Sequence, residues 1–271
     1  MATARRNLLL RLATAAILLP VELLAVWAGN PTLLILTALV VSLGMWEMRG
    51  IAAAAGWGFV AWIALPFALL LVPLPVVKPT AAIMLLAVAA GLVLGGALVT
   101  MRATAEGTRA RLLASIGAAI YVGGLAAALP AIRDLPEGLR WVVLLLAVVW
   151  VYDICAYAVG ATVGRHLFSP RLSPRKTWEG VGGGLAGALL AGAVMSFFLD
   201  AGLWLLLVTA AATAIAAQTG DLFESALKRR AGMKDSGRLV PGHGGILDRI
   251  DSLLFAGPVV FAFATFSSSP G

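Results

Sequence analysis

The chain has 271 residues, of which 61% are hydrophobic and 12% charged, and its mean hydropathy is +0.98. A globular domain of this length needs a polar exterior that these residues cannot supply, so a soluble fold is excluded and lipid is the expected solvent. Cys155 is the only cysteine, which rules out an intramolecular disulfide and, within one subunit, a thiolate metal cluster.

A helix that crosses a hydrocarbon layer of roughly 30 Å needs about 20 mostly apolar residues. Apolar runs of that kind predict about nine spans: Leu8–Ala28, Pro31–Trp46, Trp57–Val77, Pro79–Met101, Leu112–Ile132, Trp141–Val163, Trp178–Leu199, Ala201–Gln218 and Ser252–Phe266. The second and last are short, and Pro66, Pro73 and Pro75 interrupt the third. The first follows Arg5 and Arg6 but is long and lacks a small-x-small cleavage site, so it reads as an uncleaved helix. The fold class is therefore all-α, a polytopic transmembrane helical bundle.

With nine spans the connecting segments alternate between two sides. Sixteen of the 20 Lys and Arg then fall on the side of the N-terminus, against Lys78, Arg133 and Arg140 on the other, while Arg11 lies inside the first span. Basic loops face the cytoplasm in such proteins, so the N-terminus is expected to be cytoplasmic. Topology alone explains much of the formal net charge of +7, and no nucleic-acid partner is expected.

Along the chain the first polar island is "SPRKTWEG", Ser173 to Gly180. Pro174 breaks regular structure and Thr177 is placed to cap a helix starting at Trp178. Arg175 and Lys176 lie beside the positive end of that helix, a placement that favours an anion between them, though basic flanking residues are common on this side. The following run, "GVGGGLAGALLAG", has Gly180, Gly184 and Ala188 at the small-xxx-small spacing of close helix packing.

Of the 13 Asp and Glu, five (Asp221, Glu224, Asp235, Asp248 and Asp251) fall between positions 221 and 251. Asp153 and Glu179 lie in or beside the sixth and seventh spans. Carboxylates at membrane depth usually face a cavity, a partner or an ion. The eighth span reads on through "QTGDLFESALKRR", which would put Asp221, Glu224, Ser225 and Lys228 on one helical face. Such a face can ligate a hard cation and meet an anionic substrate. Mg²⁺ is often held by one or two carboxylates, with water and substrate phosphates completing its shell. A solvated network of ion pairs with Lys228, Arg229, Lys234 and Arg249 is the plainer alternative.

Between Asp235 and Asp248 sits "PGHGG". Its glycines permit close backbone approach and an anion-binding nest, or simply a turn. It matches neither the P-loop nor the dinucleotide fingerprint. With His166 as the only other histidine, a histidine-rich metal site is not expected, and His243 is better suited to ordering the loop or donating to a phosphate than to acting as a base.

These residues carry a resemblance. The segment "SALKRRAGMKDSGRLVPGHGGILDRID", Ser225 to Asp251, resembles the signature of the phosphatidate cytidylyltransferase (CDP-diacylglycerol synthase) family, through Ser225, Leu227, Lys228 and Arg229, then Lys234, Asp235 and Gly237, then Pro241 and His243 to Asp251. Val240 is a mild departure, since the family usually has a bulkier residue there. "GDLFES", "SPRKTWEG" and "DICAYAVG" are similar to family segments in the same order, so the detailed match runs from about Asp153. Residues 1–140 match only as hydrophobic helices and read as a scaffold with dimer contacts, and residues 141–271 as the catalytic region.

The resemblance implies an integral membrane nucleotidyltransferase of the bacterial-type cytoplasmic membrane, with the site facing the cytoplasm, that converts phosphatidate and CTP to CDP-diacylglycerol and pyrophosphate. It implies Mg²⁺ as cofactor, a second, monovalent cation as a further expectation, membrane lipids as surroundings and a homodimer. Asp221 and Asp248 are the implied metal ligands, followed by Asp251, with Asp235 and Glu224 as weaker candidates. Lys228, Arg229, Lys234, Arg249, Arg175 and Lys176 would bind phosphates, assisted by Ser225, His243, Gly244 and Gly245. Related enzymes that use CTP with an isoprenoid ether phosphate or a polyprenol are the nearest alternatives. A CDP-alcohol phosphotransferase fits poorly because its D-G-x-x-A-R motif is absent, and a cation transporter would spread polar residues along several spans.

Overall fold

The computed structural model describes residues 2–77, 105–240, 242 and 244–268. Its helices are α1 (Ala2–Ala28), α2 (Asn30–Ala54), α3 (Ala61–Leu71), α4 (Ala105–Ala119), α5 (Ala128–Asp134), α6 (Gly138–Val163), α7 (Trp178–Met195), α8 (Leu203–Arg230) and α9 (Leu247–Ser267). A π-helical turn, Ile120–Gly124, follows α4. Between α6 and α7 an antiparallel hairpin pairs β1 (Leu167–Ser169) with β2 (Ser173–Thr177), Leu167 opposite Thr177 and Ser169 opposite Ser173.

Among the described residues, six helical stretches are long and apolar enough to cross a membrane: Asn30–Ala54, Arg109–Asp134, Gly138–Val163, Trp178–Met195, Leu203–Arg230 and Leu247–Ser267. Ala16–Ala28 and Ala61–Leu71 are shorter apolar helices. The protein is a polytopic, mostly helical membrane protein. Large apolar side chains such as Trp27, Ile35, Phe197 and Trp204 are exposed, as expected where lipid is the solvent. The expected span Pro79–Met101 lies outside the described residues.

Several boundaries differ from the expected ones for identifiable reasons. Helix α2 starts with a proline in its first turn and runs on to Ala54 rather than stopping at Trp46. Helix α3 covers only part of Trp57–Val77, because Pro73 and Pro75 cannot donate to a helix and fall in the turn that follows it. Helix α9 begins at Leu247, before the apolar run starting at Ser252.

The chain forms two compact units. The first comprises Met1–Pro130 with Leu227–Ile250, and the second Ala131–Ala226 with Asp251–Gly271. In the first, Leu33, Val41, Ile51, Ile63, Val122 and Leu247 are fully buried. Gly44 of α2 allows Leu247 and Val122 to pack against the helix, since a β-carbon there would lie 3.1 Å from each side chain.

In the second unit Ile132, Leu144, Leu145 and Leu206 form the buried centre. The small residues of α7 face α6: a β-carbon at Gly184 would lie 2.7 Å from the Tyr152 ring, and one at Gly187 would lie 2.6 Å from Cys155 Sγ. That is the close helix approach that small-xxx-small spacing permits. Thr177 caps α7, its hydroxyl accepting from Gly180 N at 3.2 Å, at the position the sequence indicates. Glu179 closes the turn before the hairpin, accepting from Arg165 N and His166 N at 3.1 and 3.2 Å.

Candidate active site

Among the described residues, each unit contains a polar cluster built on a lysine–aspartate pair. In the second unit, α6, the hairpin, α7 and α8 enclose a cavity of about 480 Å³, lined by Tyr152, Asp153, Tyr157, Arg175, Lys176 and Gln218 among others. Strand β2 carries Arg175 and Lys176 to its wall because the hairpin leads directly into the Thr177 cap. Gln218, Asp221 and Ser225 lie three and four residues apart on α8 and so share a face.

Lys176 Nζ donates to Asp221 Oδ2 and also to Gln218 Oε1, the latter at 3.1 Å. Tyr152 Oη donates to the same Gln218 oxygen at 2.9 Å, and Ser225 Oγ donates to Asp221 Oδ1 at 3.3 Å. The Lys176 and Asp221 side chains remain 25% and 29% exposed. This arrangement offers an anionic ligand an ammonium, the nearby Arg175 guanidinium and two hydroxyls. It also presents a carboxylate that a cation could share.

The cluster of the first unit is closed. Lys228 Nζ pairs with Asp248 Oδ1, and the two side chains are only 10% and 7% exposed. Asp248 Oδ2 accepts from Ser236 N at 2.9 Å, Ser236 Oγ at 3.0 Å and Gly245 N at 2.8 Å. Gly244 adopts φ 87°, which glycine takes up without strain, and a β-carbon there would sit 2.7 Å from Asp248 Oδ2. Val240 N donates to Gly244 O at 2.9 Å across the glycine-rich turn.

The remaining expected site residues are distributed as follows. Arg229 is exposed and donates to the Met233 carbonyl at 3.1 Å. Lys234, Asp235 and Arg249 are exposed. Asp251 is buried in the second unit, where its Oδ1 accepts from Ser252 N at 2.7 Å, and Gly220 of α8 lies against its backbone carbonyl. Glu224 is fully buried. His243 lies outside the described residues.

Four polar residues enter these clusters without having been singled out from the sequence: Tyr152, Gln218, Ser236 and Glu47. Glu47 is an acid within the long apolar helix α2, and an ionisable residue in such a helix is itself a functional signal.

Among the described residues no group of three or more His, Cys, Asp and Glu could enclose a metal ion. What Asp221 and Asp248 offer is hard carboxylate oxygen, each already neutralised by a lysine ammonium. Taken singly, each carboxylate suits an ion such as Mg²⁺ whose remaining positions are filled by water and phosphate, and not a closed protein cage.

The sequence model of the Cytidylyltransferase family matches residues 9–267. A phosphatidate cytidylyltransferase of Brucella suis biovar 1 (strain 1330) is 44% identical over 152 residues, which cover 55% of this chain and 56% of that protein. One of Staphylococcus haemolyticus (strain JCSC1435) is 48% identical over 126 residues, 46% of this chain and 48% of the relative. The chain spans about half the length of the curated relatives it matches.

Proposed function

Because the chain belongs to the cytidylyltransferase family, we propose that it is a phosphatidate cytidylyltransferase, joining phosphatidate and CTP to give CDP-diacylglycerol and pyrophosphate in phospholipid synthesis. The observation that carries this reading is the cavity of the second unit, where Arg175, Lys176 and Gln218 stand beside the Lys176–Asp221 pair. Its walls hold cations suited to phosphate, while Asp221 is suited to a divalent ion.

A phosphate oxygen of phosphatidate forms a new bond to the α-phosphorus of CTP, and the bond from that phosphorus to the bridging oxygen of the β-phosphate breaks. The attacking group is already anionic near neutral pH, so no strong base is needed. The protein's work is to bring two polyanions together and to offset charge as pyrophosphate leaves. Lys176 and Arg175 bind phosphate oxygens, with Gln218 and Tyr152 fixing the lysine's position. Asp221 of the second unit and Asp248 of the first are each a proposed ligand for Mg²⁺, which when bound supplies charge neutralisation on the phosphates. Asp251 is the next ligand candidate, and a monovalent cation is a further proposal. Lys228 offsets the Asp248 charge, while Lys234, Arg229 and Arg249 are exposed cations able to attract the two substrates.

Nine spans, a cytoplasmic N-terminus, a cytoplasmic-facing site in the cytoplasmic membrane and a homodimer complete the proposal. The charge asymmetry of the loops supports its orientation. CTP would arrive from the cytoplasm, and phosphatidate from the bilayer with its acyl chains still in lipid.

The test is incubation of the purified full chain with labelled CTP, Mg²⁺ and phosphatidate, with an isoprenoid ether phosphate and a polyprenol in parallel. Liponucleotide from phosphatidate supports the reading. Product only from another lipid replaces the substrate, and no product from any lipid overturns the function.

A further inference from the structure

Glu47 sits on α2, yet its hydrogen bonds go to a segment about 200 positions later in the chain, within the same unit. Its Oε1 accepts from Ile246 N at 3.0 Å, and its Oε2 from Leu247 N at 2.9 Å and Ser236 Oγ at 3.0 Å. The residue is 3% exposed. A carboxylate so buried is costly unless its oxygens are occupied, and here donors from two separate segments meet it.

The donors form one connected device. Ile246 N and Leu247 N are among the amides at the start of α9 that no helical carbonyl can accept, so Glu47 caps α9 from another helix. Asp248 is the second residue of that helix, and its Oδ2 accepts from Gly245 N and Ser236 N. The Ser236 hydroxyl stands 3.0 Å from both Glu47 Oε2 and Asp248 Oδ2, so its one proton is shared between the two carboxylates. Gly245 has no room for a side chain, because a β-carbon would collide with the Ser236 hydroxyl and the Glu47 carboxylate. The start of α9, the Ser236 turn and the Asp248 carboxylate are thus all referred to one acid on α2.

We propose that Glu47 is a positioning residue that, through Ser236 and the N-terminus of α9, fixes the orientation of the Asp248 carboxylate and so sets the affinity of the protein for its divalent cation. This rests on the reading of Asp248 as a cation ligand given above. Glu47 touches neither substrate in this scheme. Its effect is to hold Asp248 Oδ2 against the Ser236 and Gly245 amides while Oδ1 faces Lys228.

The test compares full-length wild type, Glu47→Gln, Glu47→Asp and Ser236→Ala. Glu47→Gln keeps the size of the side chain but turns one acceptor into an NH₂ donor facing groups that are themselves donors. Two readouts are taken across an Mg²⁺ titration: liponucleotide formation, and the Mg²⁺-induced shift of the thermal unfolding midpoint without substrates. Glu47→Gln and Ser236→Ala are each expected to raise the half-saturating Mg²⁺ concentration at least fivefold in both readouts, with Glu47→Asp intermediate. Since Glu47 acts in part through the Ser236 hydroxyl, the two effects should be less than additive in the double variant.

A Glu47→Gln protein with unchanged Mg²⁺ half-saturation overturns the proposal, even if its activity or unfolding midpoint is lower, because that pattern is a structural role alone. Should Glu47→Gln fail to fold, Ser236→Ala decides by the same criterion. If wild type makes no liponucleotide, the enzymatic reading fails. The Mg²⁺-induced midpoint shift still decides the role of Glu47.

Discussion

The two lysine–aspartate pairs have the same chemistry and opposite surroundings. Lys176 and Asp221 are each about a quarter exposed beside a cavity, with one hydroxyl as a further donor to the carboxylate. Lys228 and Asp248 are nearly sealed, and three donors converge on a single oxygen of the aspartate. An exposed pair contributes little to stability and is readily exchanged for another partner, whereas a buried pair cannot lose one member without leaving a charge uncompensated. Asp221 is therefore the carboxylate whose partner is the more easily exchanged, and Asp248 is one whose position the fold itself specifies.

The sharpest way to break that contrast is to remove each aspartate in turn. Asp221→Ala should lower liponucleotide formation by roughly 10²–10³-fold, the usual loss for a charge-stabilising group. Its unfolding free energy should fall by no more than about 1 kcal/mol. Asp248→Ala should lose comparable activity and also about 3–5 kcal/mol of stability, because a nearly sealed ammonium loses its carboxylate partner. Equal destabilisation by the two substitutions, measured by chemical or thermal unfolding in detergent, would erase the distinction.

Lys176→Gln should reduce kcat/KM by roughly 30-fold through loss of a charge-assisted bond worth about 2 kcal/mol. Its unfolding midpoint should stay near wild type, because its partner Asp221 remains hydrated. Gly244→Ala acts on the closed cluster: at φ 87° a side chain is strained and points at Asp248. A loss of about 1–3 kcal/mol is expected, with activity falling about tenfold, and unfolding and turnover measured on one preparation would check both. Tyr152→Phe is the mildest change. It removes one hydrogen bond to Gln218 and should cost about 1 kcal/mol or less, visible as a few-fold loss of activity in the same assay.

Local features were legible in the sequence where the cause is local. The Thr177 cap, the tight face of α7 against α6 and the continuation of the helix through Asp221 to Arg230 all follow from nearest-neighbour chemistry. The hairpin did not, since strands of three and five residues, the second containing Pro174, show no clear alternation. The apolar run begins only at Ser252, whereas α9 begins at Leu247, where Glu47 accepts from the Ile246 and Leu247 amides. Glu47 itself could be flagged as an acid in an apolar helix. Nothing near it in sequence names Ser236, Ile246 or Leu247 as its partners.

The span between Glu47 and those partners bears on how the protein is made. Bonds that join residues 199 and 200 positions apart cannot form until the start of α9 has left the ribosome, and such distant contacts are closed late in folding. Until then Glu47 lacks the donors that make its burial tolerable. The Asp248 turn therefore acquires its final form only after α9 has been made, and a chain that stops short of α9 leaves an acid stranded in its second helix.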